Sequence, residues 1–440
     1  MPLTLGLALS ACIPQATPGI TTLPEIPPTS SPAPTSTSSP TPQVLPTPTP
    51  TPHPLQAILD EGLSLGEVAY KIPLTIRHVT QHAATLFFEI DTPANGRLLL
   101  RSVDAGRIII ERTLDPTQSR HLHTVDGLDP GVRYDVIVVI QEGDADSRQP
   151  VFLGRAWGPV RFRTQAMSGP LRFGVIGDAS FGDDVTISLV EQMAAADLDF
   201  VLHTGDVVDE TEWGVDPFES YAQKFFTPFE PLLSQMPVYT VPGNHDYDLD
   251  IRWQEQPFYY HAFPAFDDPS IPSQGGRERN QYYAFVYGDV QFVMLDSQVL
   301  YGVAGREEQN QWLTDRLAEP GFHATIPVFH VAPFSSSAVH PENSLAVRNA
   351  WAPLFQDANI PLVLSGHFHN YERFIVNGIT YIVSSGGSST LYATGDLLSG
   401  SEAIFRKSHY VLGELDGEIL TLSAISLGGD LLDTAQVTLD

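Results

Sequence analysis

The sequence predicts a small all-β unit followed by a larger unit in which strands and helices alternate. Three observations predict it. Residues 70–166 break into short alternating segments separated by Gly, Pro and Asp turns. From about residue 170, apolar runs suited to buried strands alternate with helical stretches. Five of those runs end in polar residues able to bind a cation. At 440 residues the chain is also too long for one ordinary core.

Composition narrows the function before any motif is read. Apolar residues make up 42%, a globular value, and no run approaches the 18 residues of a spanning helix. Net charge is −29, from 52 acidic and 23 basic residues. Such a field repels nucleic acid and anionic lipid, and any phosphate site within it needs local positive charge. Bound metal ions would supply that charge.

The N-terminal residues 1–12 read as a lipoprotein-type signal. Leu5-Gly6-Leu7-Ala8-Leu9-Ser10-Ala11 is a short apolar run with small residues before Cys12, the single cysteine of the chain. Leu9-Ser10-Ala11-Cys12 resembles a bacterial lipobox, although no Lys or Arg precedes the run. The expectation is a secreted protein, lipid-anchored through Cys12 on the outer face of a bacterial membrane. Residues 13–54 are Pro, Thr and Ser with almost no charge. They cannot bury enough apolar area to fold and favour polyproline II, a spacer reaching on the order of 100 Å.

In the β-unit, 85–91, 97–102, 107–113 and 134–141 are the strand candidates. Leu128-Asp129-Pro130-Gly131-Val132-Arg133-Tyr134 resembles a fibronectin type III segment, with Tyr134 placed for a tyrosine corner. His121 and His123, at strand spacing, are expected to be exposed strand residues rather than ligands. In the second unit, buried strands are expected at 171–176, 200–203, 237–241, 325–330 and 361–364, with helices near 184–196, 216–234, 307–318 and 344–357. Residues 381–439 read as strands again.

The chemistry sits where those five strands end: Gly177-Asp178, Gly205-Asp206, Gly243-Asn244-His245-Asp246, His330 and Gly366-His367-Phe368-His369. Ligands of open α/β sheets bind outside the carboxyl ends of strands, so five such segments can converge on one crevice. Aspartate and asparagine oxygens with imidazole, and no thiolate, suit a hydrolytic two-metal site rather than structural zinc. In extended backbone His367 and His369 project to one side and could serve one metal each, with Asp206 the natural bridge. His203 reads as a packed residue, and Glu372 with Arg373 as a salt bridge orienting a loop.

Together these motifs resemble the calcineurin-like metallophosphoesterase family. Asn370-Tyr371-Glu372-Arg373 and Val376-Asn377-Gly378-Ile379-Thr380-Tyr381-Ile382-Val383 are similar to its purple acid phosphatase branch, as is a fibronectin-like domain ahead of the catalytic one. The resemblance spans roughly residues 70–430. It implies an α+β, αββα sandwich of two mixed β-sheets flanked by helices over residues 170–440, preceded by the small all-β fibronectin III-like sandwich. It further implies one metal on Asp178, Asp206 and His369 and a second on Asp206, Asn244, His330 and His367. His245 would contact the phosphate, and His340 would lie near the leaving group.

Two positions depart from the family pattern. Ser180 stands where a histidine or glycine is usual, and Asp209 stands where the purple branch has a metal-binding tyrosine. Asp209 is a candidate ligand, direct or through water, and equally a cap for the next helix. The expected activity is hydrolysis of small phosphate monoesters, acid phosphatase-like, by in-line attack of a metal-bound hydroxide on two ions of Fe, Zn or Mn. A phosphodiesterase or nucleotide hydrolase is the alternative on the same metals, and a non-catalytic surface binding protein is the alternative from another class.

Overall fold

The structure, a computed structural model, describes residues 70–141, 160–209, 216–247, 258–269 and 281–439. The lipobox-like segment and the Pro/Thr/Ser-rich stretch lie outside the described residues.

Seven strands build the first unit. β1 (Tyr70–Val79), β2 (Ala83–Ile90) and β5 (Arg120–Asp126) pair in the order β1-β2-β5. β3 (Asn95–Ser102), β4 (Arg107–Thr113), β6 (Arg133–Gln141) and β7 (Val160–Arg163) pair as β4-β3-β6-β7. All pairings are antiparallel, and Leu74, Ile76, Leu86, Phe88, Leu98, Leu100, Val136 and Phe162 fill the space between the sheets. Tyr134 is buried, and its hydroxyl accepts from the Asp129 N–H at 2.9 Å, closing the tyrosine corner. The sandwich is fibronectin III-like. The expectation of exposure fails for His121. Its side chain is buried, stacked on Phe88 at 4.8 Å and on His123 at 5.9 Å, because β5 is covered on that face by aromatic rings.

The second unit is a sandwich of two sheets. β8 (Leu171–Ile176), β9 (Phe200–His203) and β10 (Val238–Thr240) run parallel and continue through β18 (His409–Asp416), β19 (Ile419–Ser426) and β20 (Leu431–Thr438), in the order β10-β9-β8-β18-β19-β20. The other sheet has the order β11-β12-β13-β14-β16-β15-β17. Its strands are β11 (Tyr283–Tyr287), β12 (Val290–Met294), β13 (Ala324–Val331), β14 (Leu362–Gly366), β15 (Tyr371–Val376), β16 (Ile379–Ser384) and β17 (Ser401–Phe405). Phe173 and Phe200 of one sheet meet Phe292 of the other edge to face, at 5.6 and 5.2 Å, inside one continuous apolar layer. Helix Asp184–Ala194 covers the outer face of the first sheet through Leu189, Val190 and Met193. Helices Arg306–Leu317 and Ser344–Ala350 cover the second through Leu313 and Val347, with Trp351.

Two expected helices are interrupted. The 216–234 stretch divides into Pro217–Tyr221, a π-turn Ala222–Phe226 and Glu230–Leu233, because Pro228 and Pro231 have no N–H to continue the ladder. The 344–357 stretch likewise divides at Trp351, just before Pro353. The hairpin β11–β12, turning at Gly288-Asp289, adds two strands to the five expected.

The first unit is docked on the second through buried polar contacts. Gln165 donates to the Val79 and Val286 carbonyls at 2.8 and 3.0 Å. His78 of β1 lies 2.9 Å from the Tyr239 hydroxyl and 3.3 Å from Asp268 Oδ2.

His409 begins β18 and is fully buried, its Nδ1 2.8 Å from the Lys407 carbonyl. Burial pushes its imidazole down to about 4, because the charged form has lost its water. An unfolded histidine titrates near 6.5, so between about pH 6.5 and 4 the unfolded chain binds the extra proton. His409 therefore adds stability that is complete above that window and falls by about 3 kcal/mol as pH drops through it. In His409→Asn, which keeps a donor for Lys407, stability measured by denaturant unfolding should decline less steeply between pH 6.5 and 4.5. Parallel declines in both proteins would rule this out.

Candidate metal centre

Asp178 lies two residues after β8, Asp206 follows β9, and His367 and His369 follow β14. All four have left-handed backbone, with φ of 56, 50, 77 and 47°. That conformation costs about 1 to 2 kcal/mol in a residue with a Cβ. The histidine pair therefore departs from the extended arrangement expected of it. Both rings reach the site because the chain bends twice, not because the residues alternate on a strand.

Each aspartate has one oxygen held by the protein and one facing the centre. Asp178 Oδ2 accepts from the Ser385 hydroxyl at 2.6 Å and from the His367 N–H at 3.0 Å. Its Oδ1 is buried, has no donor, and lies 3.4 Å from His369 Nε2. Asp206 Oδ1 accepts from the His245 N–H at 2.9 Å, while Oδ2 lies 3.3 Å from His330 Nε2. His330 Nε2 is also 3.1 Å from both Asn244 Oδ1 and His367 Nδ1.

The tautomers of two rings follow from their outer contacts. His330 Nδ1 lies 2.9 Å from the Thr204 carbonyl and His369 Nδ1 lies 2.8 Å from the Thr390 carbonyl. A carbonyl only accepts, so both rings carry a proton on Nδ1 and turn Nε2 inward as the atom a cation would bind. Two groups result, Asp206 with His330 and His367, and Asp178 with Asp206 and His369, each with its donor atoms within 4.8 Å of one another and with Asp206 common to both.

These residues fit a pair of cations. The donors are hard oxygens and imidazoles, Asp178 Oδ1 is an orphaned buried anion, and the electrostatics call for positive charge. Burial opposes a charge on His330, yet Asp206 and Asp178 outweigh it and push the imidazole up to about 9. Burial alone would likewise raise Asp206, but His330 beside it holds the carboxyl below the usual range.

Asp246, last residue of the third motif, braces the loops from beneath. It accepts from the Gly243, Val207 and Val208 N–H groups at 2.8 to 3.2 Å. Gly243 must be glycine: a Cβ there would lie 2.1 Å from Asp206 Oδ1.

A cavity of about 300 Å³ opens above the donors, and both His245 and His340 line it. His245 Nδ1 lies 3.4 Å from Asp209 Oδ1. Asp209 is thus turned toward His245 and belongs to neither donor group. The next helix is capped by Asp216 instead, whose carboxylate accepts from the Phe218 N–H at 3.0 Å. His340 is mostly exposed on the rim, with Nδ1 3.6 Å from Glu342. His203 is buried against Phe225 and Phe229.

The same cavity is lined by Gln298, Tyr301, Asn343 and Tyr392, none of which was legible in the sequence. Gln298 and Tyr301 follow the unexpected strand β12, and Tyr392 lies in a Ser/Gly-rich stretch with no periodic signal. The Tyr392 ring stacks on His369 at 4.1 Å. Its loop pairs with the one before His340, through Ala338 N–H to Ala393 O at 2.8 Å and Gly395 N–H to Ser336 O at 2.7 Å. Glu372 anchors this rim, accepting from the Ser336 N–H at 2.8 Å and the Ser401 hydroxyl at 2.7 Å. The expected Glu372–Arg373 bridge does not form: neighbours on a strand face opposite ways, and Arg373 pairs with Asp433 at 2.6 Å.

The two-sheet sandwich carries two candidate cation sites at its strand ends, with Asp206 common to both. Residues 171–371 match the family described as calcineurin-like phosphoesterase. Those residues carry the domain of that family, and the chain is similar to purple acid phosphatases. It is 27% identical to purple acid phosphatase 21 of Arabidopsis thaliana over 226 residues, 48% of this chain and 47% of the relative. It is 25% identical to purple acid phosphatase 23 of the same plant over 283 residues, 58% of this chain and 57% of the relative. The chain spans about half the length of the curated relatives it matches. The structure of purple acid phosphatase PPD1 from yellow lupin seeds shares the fold, with a TM-score of 0.68 at 16% identity over 84% of this chain and 74% of that one.

Because a methyl at Gly243 would lie 2.1 Å from Asp206 Oδ1 and 2.3 Å from the Asp206 backbone nitrogen, Gly243→Ala should displace Asp206 with its loop, lowering stability and weakening metal binding at least tenfold. Chelator titration beside a thermal melt of the stripped protein checks this. Unchanged metal affinity would place Asp206 outside the centre.

Proposed function

We propose that the chain hydrolyses small phosphate monoesters with two metal ions, one held by Asp178, Asp206 and His369 and the other by Asp206, Asn244, His330 and His367. The observation that carries this reading is the sharing of buried Asp206 between two donor groups at the floor of one cavity. Two bound cations there would supply Lewis acidity and lower the pKa of a water.

The chain's own residues do the remainder. Asp178 and Asp206, locked by Ser385 and by the His367 and His245 N–H groups, fix the donor geometry before substrate arrives. His245, paired with Asp209, meets the phosphoryl oxygens from the cavity wall. His340 stands on the open rim, where a leaving alkoxide would depart, and delivers a proton to it. His340 has left-handed backbone, with φ 51°, and its carbonyl accepts from the Asn343 N–H at 3.0 Å.

Phosphate release from alkyl monoesters, aryl monoesters and bis-esters, with metal content measured on the same sample, tests the proposal. Monoester turnover should exceed bis-ester turnover and scale with bound metal. His340→Ala should slow alkyl phosphates at least tenfold more than aryl phosphates, whose leaving groups need little protonation. A protein that binds two ions but turns over only bis-esters sinks the monoesterase reading.

The lipobox-like Leu9–Cys12 followed by a spacer supports a surface-tethered enzyme outside the cell. Cys12→Ser should shift the protein from the membrane fraction to the soluble one. A wild-type protein already soluble, and lipid-free by mass spectrometry, overturns the anchor.

A further inference from the structure

The wall of the cavity is polar, and one polar side chain in it has no task in the metal centre. Among the described residues that line the cavity, Val331 is the single aliphatic one. Gln298 lines it too and is only 2% exposed. Among the described residues its side chain makes one hydrogen bond, a long one of 3.4 Å from Nε2 to the neighbouring Ser297 Oγ. A buried amide carries two donors and two acceptor positions, and leaving them unmade is costly. Beside an open cavity, such an amide is placed for something the cavity receives.

The main chain around Gln298, by contrast, is held at every turn. The Gln298 N–H donates to Asp296 Oδ1 at 2.8 Å, and its carbonyl accepts from the Val303 N–H at 3.1 Å. Asp296 Oδ2 accepts from the Tyr247 hydroxyl and from Gln281 Nε2 at 3.0 Å. The Ser297 hydroxyl accepts from the Val331 N–H at 3.1 Å, one residue beyond His330. The amide therefore starts from a backbone tied to the segments that follow His245 and His330. The same turn, Ser297–Tyr301, ends in Tyr301, whose hydroxyl donates to the Asn343 carbonyl. The Asn343 N–H donates in turn to the His340 carbonyl. Gln298 thus belongs to the wall joined to the rim histidine, the side on which the leaving alcohol departs in the proposed reaction.

We propose that Gln298 reads a hydroxyl group of the leaving alcohol, so that the site takes phosphate monoesters of polyhydroxy alcohols ahead of those of simple alcohols. The inference rests on the monoesterase reading of the centre. A hydroxyl both donates and accepts, so it suits the amide whichever end faces the cavity. A plain alkyl group satisfies neither end and finds only Val331 as an aliphatic surface among the described residues. A site built around a hydrogen-bonding group rejects the analogue that lacks the partner, because its own group then stays buried and unpaired. At about 300 Å³ the cavity is at the small end of ligand sites, which suits a compact polyol.

The test compares glycerol 3-phosphate with propyl phosphate, two alkyl esters of equal chain length, on the metal-loaded full chain. The quantity read is the ratio of their kcat/KM values. In wild type it should favour glycerol 3-phosphate at least tenfold, and in Gln298→Met, which keeps the length without the amide, it should fall at least tenfold. Circular dichroism and metal content of each protein accompany the rates. A wild-type ratio below ten, or a smaller fall in Gln298→Met, overturns the proposal; equal losses on both esters would mark Gln298 as structural. If Gln298→Met does not fold, Gln298→Asn, whose amide stops one methylene short, takes its place in the same comparison. Wild type that binds metal but turns over no monoester removes the monoesterase reading, and this inference with it. Turnover of both esters at equal rates removes this inference alone.

Discussion

Two carboxylates taken out of water at the seam between two sheets set the terms for everything around them. Asp178 and Asp206 are both buried, and Asp178 Oδ1 has no hydrogen-bond donor. Isolated buried anions of this kind are ruinous to a fold unless cations or protons answer them. The loops are arranged around that demand. Glycine at 243 clears a place for Asp206, Asp246 gathers three backbone N–H groups beneath it, and Ser385 fixes Asp178 from the far side. Local strain is accepted at four donors so that the open oxygens and nitrogens face one another.

Much of this was legible in the sequence, and for a definite reason. A buried strand is written as an apolar run, and its end is marked when the run stops at Gly followed by a charged residue. Asp178 and Asp206 announce themselves in that way, Asn244 and His367 by a polar residue after glycine, His369 by lying two residues beyond, and His330 only by the end of its apolar run. Tyr134 was legible because a turn of fixed length places its hydroxyl on Asp129. What stayed hidden depends on contacts between segments distant in the chain. Tyr392 reaches His369 only through a loop that closes on residues more than fifty positions earlier, and Asn343 meets His367 across 24 residues. Arg373 found Asp433 rather than Glu372, because adjacent strand residues face opposite sides. The helix candidates failed where proline interrupts an otherwise suitable apolar pattern.

Asp209 illustrates how one position can change its work without leaving the site. Its carboxylate is shorter than a tyrosine side chain, and it pairs with His245 instead of joining a donor group. The aromatic surface beside the centre comes from elsewhere, with Tyr392 stacked on His369. An aromatic contributed by a distant loop covers the imidazole face without adding a ligand atom.

That loop has a consequence for how the cavity can vary. The strands of backbone before His340 and after Tyr392 are stitched to each other, and Glu372 ties the pair to the sheet from below. The mouth is accordingly a single hoop, not two independent flaps. An insertion or deletion on one side would be transmitted through the stitches to the other, moving His340 and the aromatic wall together. In such a hoop, the width of the opening and the placing of His340 cannot drift apart; they are inherited as one trait.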